Sequence, residues 1–142
     1  MNTYGFTNKF LTKDEKPWFP IMGEIHFSRY PAKYWKESIN KMKAGGVDII
    51  SAYVIWIHHE EIENQYDFSG DRNLREFVKA IKECKSKMLL RIGPWIHGET
   101  RNGGFPDWLL QKGFQVRSND KEYLETVKKW YKIIYDQVYD LL

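Results

Sequence analysis

The spacing of apolar residues along the chain alternates between two periods. Apolar-rich stretches over 4–11 and 18–27 flank a polar turn, Thr12-Lys13-Asp14-Glu15-Lys16. This predicts a short β-hairpin running into a first core strand over 19–26. Pro31 then stands where a first helical turn tolerates proline, because its missing N–H would have no partner there. Trp35, Ile39 and Met42 follow at steps of four and three, one face of a helix. Gly45-Gly46 supplies the glycine stop. Val47 to Trp56 (VDIISAYVIW) is a nearly unbroken apolar run rich in β-branched and aromatic residues. Such a run suits a strand buried on both faces of a parallel sheet.

A polar connection spans 58–72. Asn73 with Glu76 three residues on is a helix-start signature, and Leu74, Phe77, Val78, Ile81 and Cys84 mark the face of the helix it opens. MLLRIGPWI, over 88–96, reads as a third buried strand, and Gly98 to Gly113 as a loop. Asn119 with Glu122 opens a last helix with the stripe Leu124, Val127, Tyr131, Ile134, Val138 and Leu141. Strand-then-helix units in series imply a parallel sheet with right-handed crossovers. Two architectures meet that pattern: a doubly wound open sheet and a (β/α)8 barrel. A barrel takes roughly 200 residues or more, so on that reading this chain is a piece of something longer.

Composition narrows the class. In 142 residues, 42% are hydrophobic and 29% charged, which fits a globular chain with its own core. The net charge of +3 is spread over mixed signs, with no Lys/Arg run of five. Neither a nucleic-acid nor an anionic-membrane partner is expected. Cys84 is the single cysteine, which excludes an internal disulfide and a cysteine zinc site. No apolar run nears the ~20 residues that span a bilayer. Met1 to Gly5 lacks the basic and apolar segments of a leader, so a cytoplasmic location is expected. Aromatic residues reach 16%, enough to fill a core or to line a sugar site.

Sites in parallel α/β folds form at the carboxyl ends of strands. Those ends supply His26 and Arg29, then Tyr53, Trp56, His58, His59 and Glu60, then Trp95, His97, Glu99 and Arg101. Glu99 is placed to accept sugar hydroxyls or to act as acid or base, or else to pair with Arg91 or Arg101. Glu60 is read as a brace for the loop after the second strand. Trp56 and Trp95 either stack on a sugar or pack the strand-end layer. His58-His59-Glu60-Glu61 lacks the i, i+4 spacing of two metal ligands on one helix face, and no metal is expected there. Gly103-Gly104 has neither the spacing nor the lysine of a phosphate loop, so no nucleotide cofactor is expected.

Taken together, the strand-end segments resemble family 35 of the glycoside hydrolases, the β-galactosidase family. The resemblance rests on Gly23-Glu24-Ile25-His26-Phe27-Ser28-Arg29, Trp35, 41–46 (KMKAGG), Tyr53-Val54-Ile55-Trp56 and His59-Glu60. It rests most on Arg91-Ile92-Gly93-Pro94-Trp95, Gly98-Glu99 and 102–109 (NGGFPDWL). It implies that residues 1–142 are a partial catalytic domain. That domain is the N-terminal (βα)3 portion of a (β/α)8 TIM barrel, preceded by the hairpin, from a retaining exo-glycosidase acting on terminal β-galactose. By the same resemblance Tyr53 and Glu99 contact the sugar, and His97 and Gly98 line its pocket. The family's acid/base, in an Asn-Glu motif on the fourth strand, and its nucleophile, further along, have no counterpart in this chain. Hence no catalytic residue is assigned, the piece alone is expected to be inactive, and no cofactor is implied. A carbohydrate is the expected partner, together with self-association of the piece through exposed sheet edges. The alternative is a non-catalytic carbohydrate-binding or interaction module derived from such a barrel. Three positions depart from the family's pattern: Ile57 replaces an asparagine, Glu61 a proline and Thr100 a tryptophan.

Overall fold

A computed structural model describes residues 3–142; Met1 and Asn2, part of the segment read for a leader, lie outside it. The fold is mixed α/β with two small sheets. The first is an antiparallel meander of β1 (Tyr4–Phe6), β2 (Leu11–Lys13) and β3 (Lys16–Trp18). It replaces the expected single hairpin with a five-residue turn. Polar Thr12, Lys13 and Lys16 pair as strand residues, and only Asp14 and Glu15 turn, both with positive φ. Surface strands need no apolar residue at these positions, so their polarity hid them.

The second sheet is parallel, in the order β4 (Met22–Glu24), β5 (Ile49–Tyr53) and β6 (Lys87–Arg91). All three strands are shorter than their apolar runs. Phe19, expected to start the first core strand, is 92% exposed. Pairing with the β5 side starts only at Ile21, whose N–H donates to Asp48 Oδ2 at 3.0 Å. The second run does not stay extended to Trp56; it turns into a short helix, α2 (Trp56–His59). Burial alone cannot tell a strand from a buried turn, and a continuous apolar run reports only burial.

Helices cover one face of this sheet. They are α1 (Trp35–Ala44), α3 (Leu74–Glu83) and α5 (Lys121–Val138), with α4 (Asp107–Gln111) inside the segment read as a loop. Asn73 caps α3, its side chain accepting the Glu76 N–H at 3.0 Å. The cap of α5 is Asp120 rather than Asn119; its Oδ1 accepts the Tyr123 N–H at 2.8 Å. The buried stripe is Tyr123, Val127, Trp130, Ile134 and Val138; Val127, Ile134 and Val138 are as expected, while Tyr123 and Trp130 take the places of Leu124, which is exposed, and Tyr131. Ile50, Ala52, Met88 and Leu90 point from the sheet into the same core. Phe27 stacks on Phe77 at 4.9 Å within it.

The opposite face of the sheet is divided. Towards the strands' amino ends it is apolar, with Met22, Ile49 and Leu89 beside Tyr4, Leu11 and Trp18 of the meander. Lys87 lies over the Tyr4 and Trp18 rings there. Towards the carboxyl ends it is polar. The third strand is therefore not buried on both faces as expected: Leu89 is 45% exposed.

Candidate functional site

The polar half of that face is built from three adjacent strands. The registers Glu24↔Ser51 and Tyr53↔Arg91 set these four side chains on the face turned away from the helices, since cross-strand partners share a face. They interlock. Ser51 Oγ donates to Glu24 Oε2 at 3.1 Å. Arg91 spans both neighbours: Nη1 donates to Glu24 Oε2 and Nη2 to the Tyr53 hydroxyl. Its guanidinium carbon lies 3.7 Å from the Tyr53 ring centroid. His26 lies parallel to Tyr53 at 6.2 Å, with Nε2 3.4 Å from Glu24 Oε1. The sequence signal for this cluster was polar residues at matched register inside apolar strands, a signal visible only once the register is known.

Beyond β6 the chain turns back over the sheet. Gly93 adopts φ +79°, and its carbonyl accepts from the Tyr131 hydroxyl of α5 at 2.8 Å. Ile96 N–H donates to Gly103 O at 2.8 Å, which closes the loop. Gly103 has φ +61° and no room for a side chain: a Cβ there would sit 1.9 Å from Trp95 Nε1. This fold-back brings the His97 N–H to the Tyr53 hydroxyl at 3.2 Å. Two of the expected site residues, Tyr53 and His97, thus meet.

Gly98 and Glu99 follow on the exposed rim. The Glu99 carboxylate is paired with neither arginine considered from the sequence, because Arg91 is held by Glu24 and Arg101 by Asp107 at 2.6 Å. Glu99 instead borders a cleft of about 400 Å3 that Tyr53 does not line. Arg29, His58, Arg72 and Arg101 share that cleft, and so do Ile57, Glu61 and Thr100. The three positions that depart from the resemblance, two of them after the second strand and one after the third, therefore lie around one cleft with Glu99. Thr100 Oγ1 is buried there without a partner among the described residues. Burial first, then the charges of Arg72, Arg29 and His26, hold the His58 imidazole below its ordinary pKa.

The remaining strand-end residues form structure around the site. Trp56 is buried, stacks on Trp130 at 5.2 Å and donates from Nε1 to Glu60 Oε2 at 2.6 Å. Glu60 Oε1 accepts the Asn64 N–H at 2.8 Å and its carbonyl accepts from Trp108 Nε1 at 3.0 Å. A buried carboxylate with these partners braces the loop. His58 and His59 face different partners: Ser28 Oγ at 2.8 Å and the Asp67 carbonyl at 3.0 Å. Trp95 is partly exposed, with Arg117 over its ring at 4.2 Å. The arrangement offers hydroxyl-binding groups of both polarities along one sheet end.

Comparison with known proteins identifies relatives of the whole chain. The chain is 42% identical to a beta-galactosidase of Canis lupus familiaris over 95% of its own length and 20% of the relative's. It is 40% identical to a beta-galactosidase of Mus musculus over 95% of its length and 21% of the relative's. With a beta-galactosidase of Xanthomonas manihotis the identity is 36% over 99% of the chain and 24% of the relative's. The chain thus spans about a fifth to a quarter of these relatives. The family described as Glycosyl hydrolases family 35 matches residues 10–142. By that match and by these relatives, the chain belongs to glycosyl hydrolases family 35.

Proposed function

We propose that this chain forms the first three βα units of the (β/α)8 barrel of a retaining exo-β-galactosidase. In that enzyme it supplies part of the floor that holds terminal galactose. The observation that carries this is the meeting of Tyr53 and the His97 amide at the strand ends, in a chain that matches beta-galactosidases across 95% of its length. Glu99, whose carboxylate has no ion-pair partner among the described residues, accepts sugar hydroxyls, while Gly98 leaves the approach open. Retaining hydrolysis needs two carboxyl groups about 5–5.5 Å apart, one as nucleophile and one as acid/base. The family's pair lies outside residues 1–142, so the chain alone is inactive. Its unpaired sheet edges make it associate with itself.

The test is an assay of the purified chain with a chromogenic β-galactoside. No turnover above buffer is expected. Turnover that co-purifies with the chain and vanishes in Glu99→Gln overturns the reading and makes Glu99 catalytic. In the longer enzyme, Glu99→Gln is expected to raise KM and lower kcat without rescue by azide; wild-type kinetics would remove Glu99 from the site.

A further inference from the structure

The hydroxyl of Tyr53 is held by two partners of the same kind. A guanidinium has only N–H donors and no acceptor, and so does a backbone amide nitrogen. Arg91 Nη2 and the His97 N–H therefore both give hydrogen to the Tyr53 oxygen. Neither takes its proton. Among the described residues no acceptor stands against that O–H, although Tyr53 is only 5% exposed. A phenol in this state is a donor in search of an acceptor oxygen.

Arg91 sets this state. Its planar fork reaches two residues at once, Glu24 on one side and Tyr53 on the other, and its guanidinium carbon lies 3.7 Å from the Tyr53 ring centroid. Glu24 is fixed in turn by Ser51, which is 1% exposed. The chain Ser51–Glu24–Arg91–Tyr53 crosses all three parallel strands. A lysine could keep the charge but not both contacts with one geometry. We propose that Arg91, anchored by Glu24, is a positioning residue that fixes the Tyr53 hydroxyl as a hydrogen-bond donor to an oxygen of the bound sugar. This rests on the reading that Tyr53 touches the sugar. It adds the polarity of the contact and the residues that impose it. Tyr53 gives a proton to one sugar oxygen while the Glu99 carboxylate accepts from others, so the two contacts read the sugar with opposite sign.

Two measurements test it. The first needs no substrate. In the 142-residue chain, hydrogen exchange of the His97 amide is compared between wild type, Tyr53→Phe and Arg91→Met, with the Ile81 amide of α3 as the reference for global opening. If Arg91 holds the hydroxyl, His97 exchanges at least tenfold faster in Arg91→Met and in Tyr53→Phe, with Ile81 unchanged. Acceleration in Tyr53→Phe alone overturns the proposal. Should Arg91→Met unfold the chain, seen as loss of Ile81 protection, Glu24→Gln takes its place; at least threefold acceleration is expected, and none overturns it. The second is a double-mutant cycle on kcat/KM in the longer enzyme, with Tyr53→Phe, Arg91→Lys and both. At least a tenfold loss is expected for each single variant, with no further loss in the double. A loss in Tyr53→Phe that Arg91→Lys does not share, or that multiplies in the double, overturns the positioning role and leaves the sugar contact standing. No loss in Tyr53→Phe overturns the sugar contact itself, and this proposal with it.

Discussion

Single residues in this chain are held by requirements that sequence alone does not display. His59 is 1% exposed, among Phe27, Phe68 and Trp130. Its Nδ1 faces the Asp67 carbonyl, which only accepts, so Nδ1 carries the hydrogen and the buried Nε2 has no partner among the described residues. Burial pushes its pKa from the ordinary 6.5 down to about 4. In the unfolded chain this imidazole takes a proton near its ordinary value, so between those two pH values the unfolded state binds more protons. Stability therefore falls as pH drops through that window and levels off below it. The full loss is about 3 kcal/mol from this group, and His58, lowered for the same reason, adds in the same direction. Urea unfolding from pH 7 to pH 4 should show the decline, and His59→Phe should flatten much of it; an unchanged slope in that variant would assign the effect elsewhere. Gly103 is held as tightly. Alanine there meets the Trp95 indole and an unfavourable φ together, so Gly103→Ala should cost on the order of 1–3 kcal/mol. A matched urea midpoint for wild type and variant would contradict the geometry.

At the scale of elements, what the sequence displays is where burial occurs. The apolar periods found α1, α3 and α5 and the cores of β5 and β6, because a helix stripe or a buried run leaves a mark whatever its neighbours do. They read the β1 to β3 region as a single hairpin, missing one strand of that surface meander, and they missed α4, a single short turn around Trp108 and Leu109. On α5 the error was one residue. Leu124 and Tyr131 keep the same spacing as Tyr123 and Trp130, and only packing decides between the two stripes. The candidate site shows the same division: His97 and Tyr53 were named from their place at strand ends, whereas Glu24, Ser51 and Arg91 became a cluster only through register. The α5 stripe is testable. Trp130→Ala should lose about 3–5 kcal/mol, as for other buried aromatic truncations, whereas Leu124→Ala should lose less than about 1. Equal losses would restore the stripe read from the sequence.

For the molecule as a whole, the parallel sheet ends on β4 and β6, each with a neighbour on one side only among the described strands. Beside β6, the apolar residues Val78, Ile81, Met88, Leu90, Leu141 and Leu142 line a groove of about 390 Å3. Unpaired strand edges beside apolar surface favour association. Light scattering after size exclusion, over a range of concentrations, should give a mass that rises above 17.1 kDa. A constant monomer mass with cooperative unfolding would show that the chain closes its own core. The Trp56–Trp130 stack, with rings only 2° from parallel, has a bearing on all such measurements. Two indoles this close share electronic excitation, and one opens α2 just after β5 while the other belongs to α5. The pair should give a circular dichroism couplet at the strong indole band of the far ultraviolet, which Trp56→Phe or Trp130→Phe alone should abolish. Docking of α5 against the turn that follows β5 can then be followed by light, without any label.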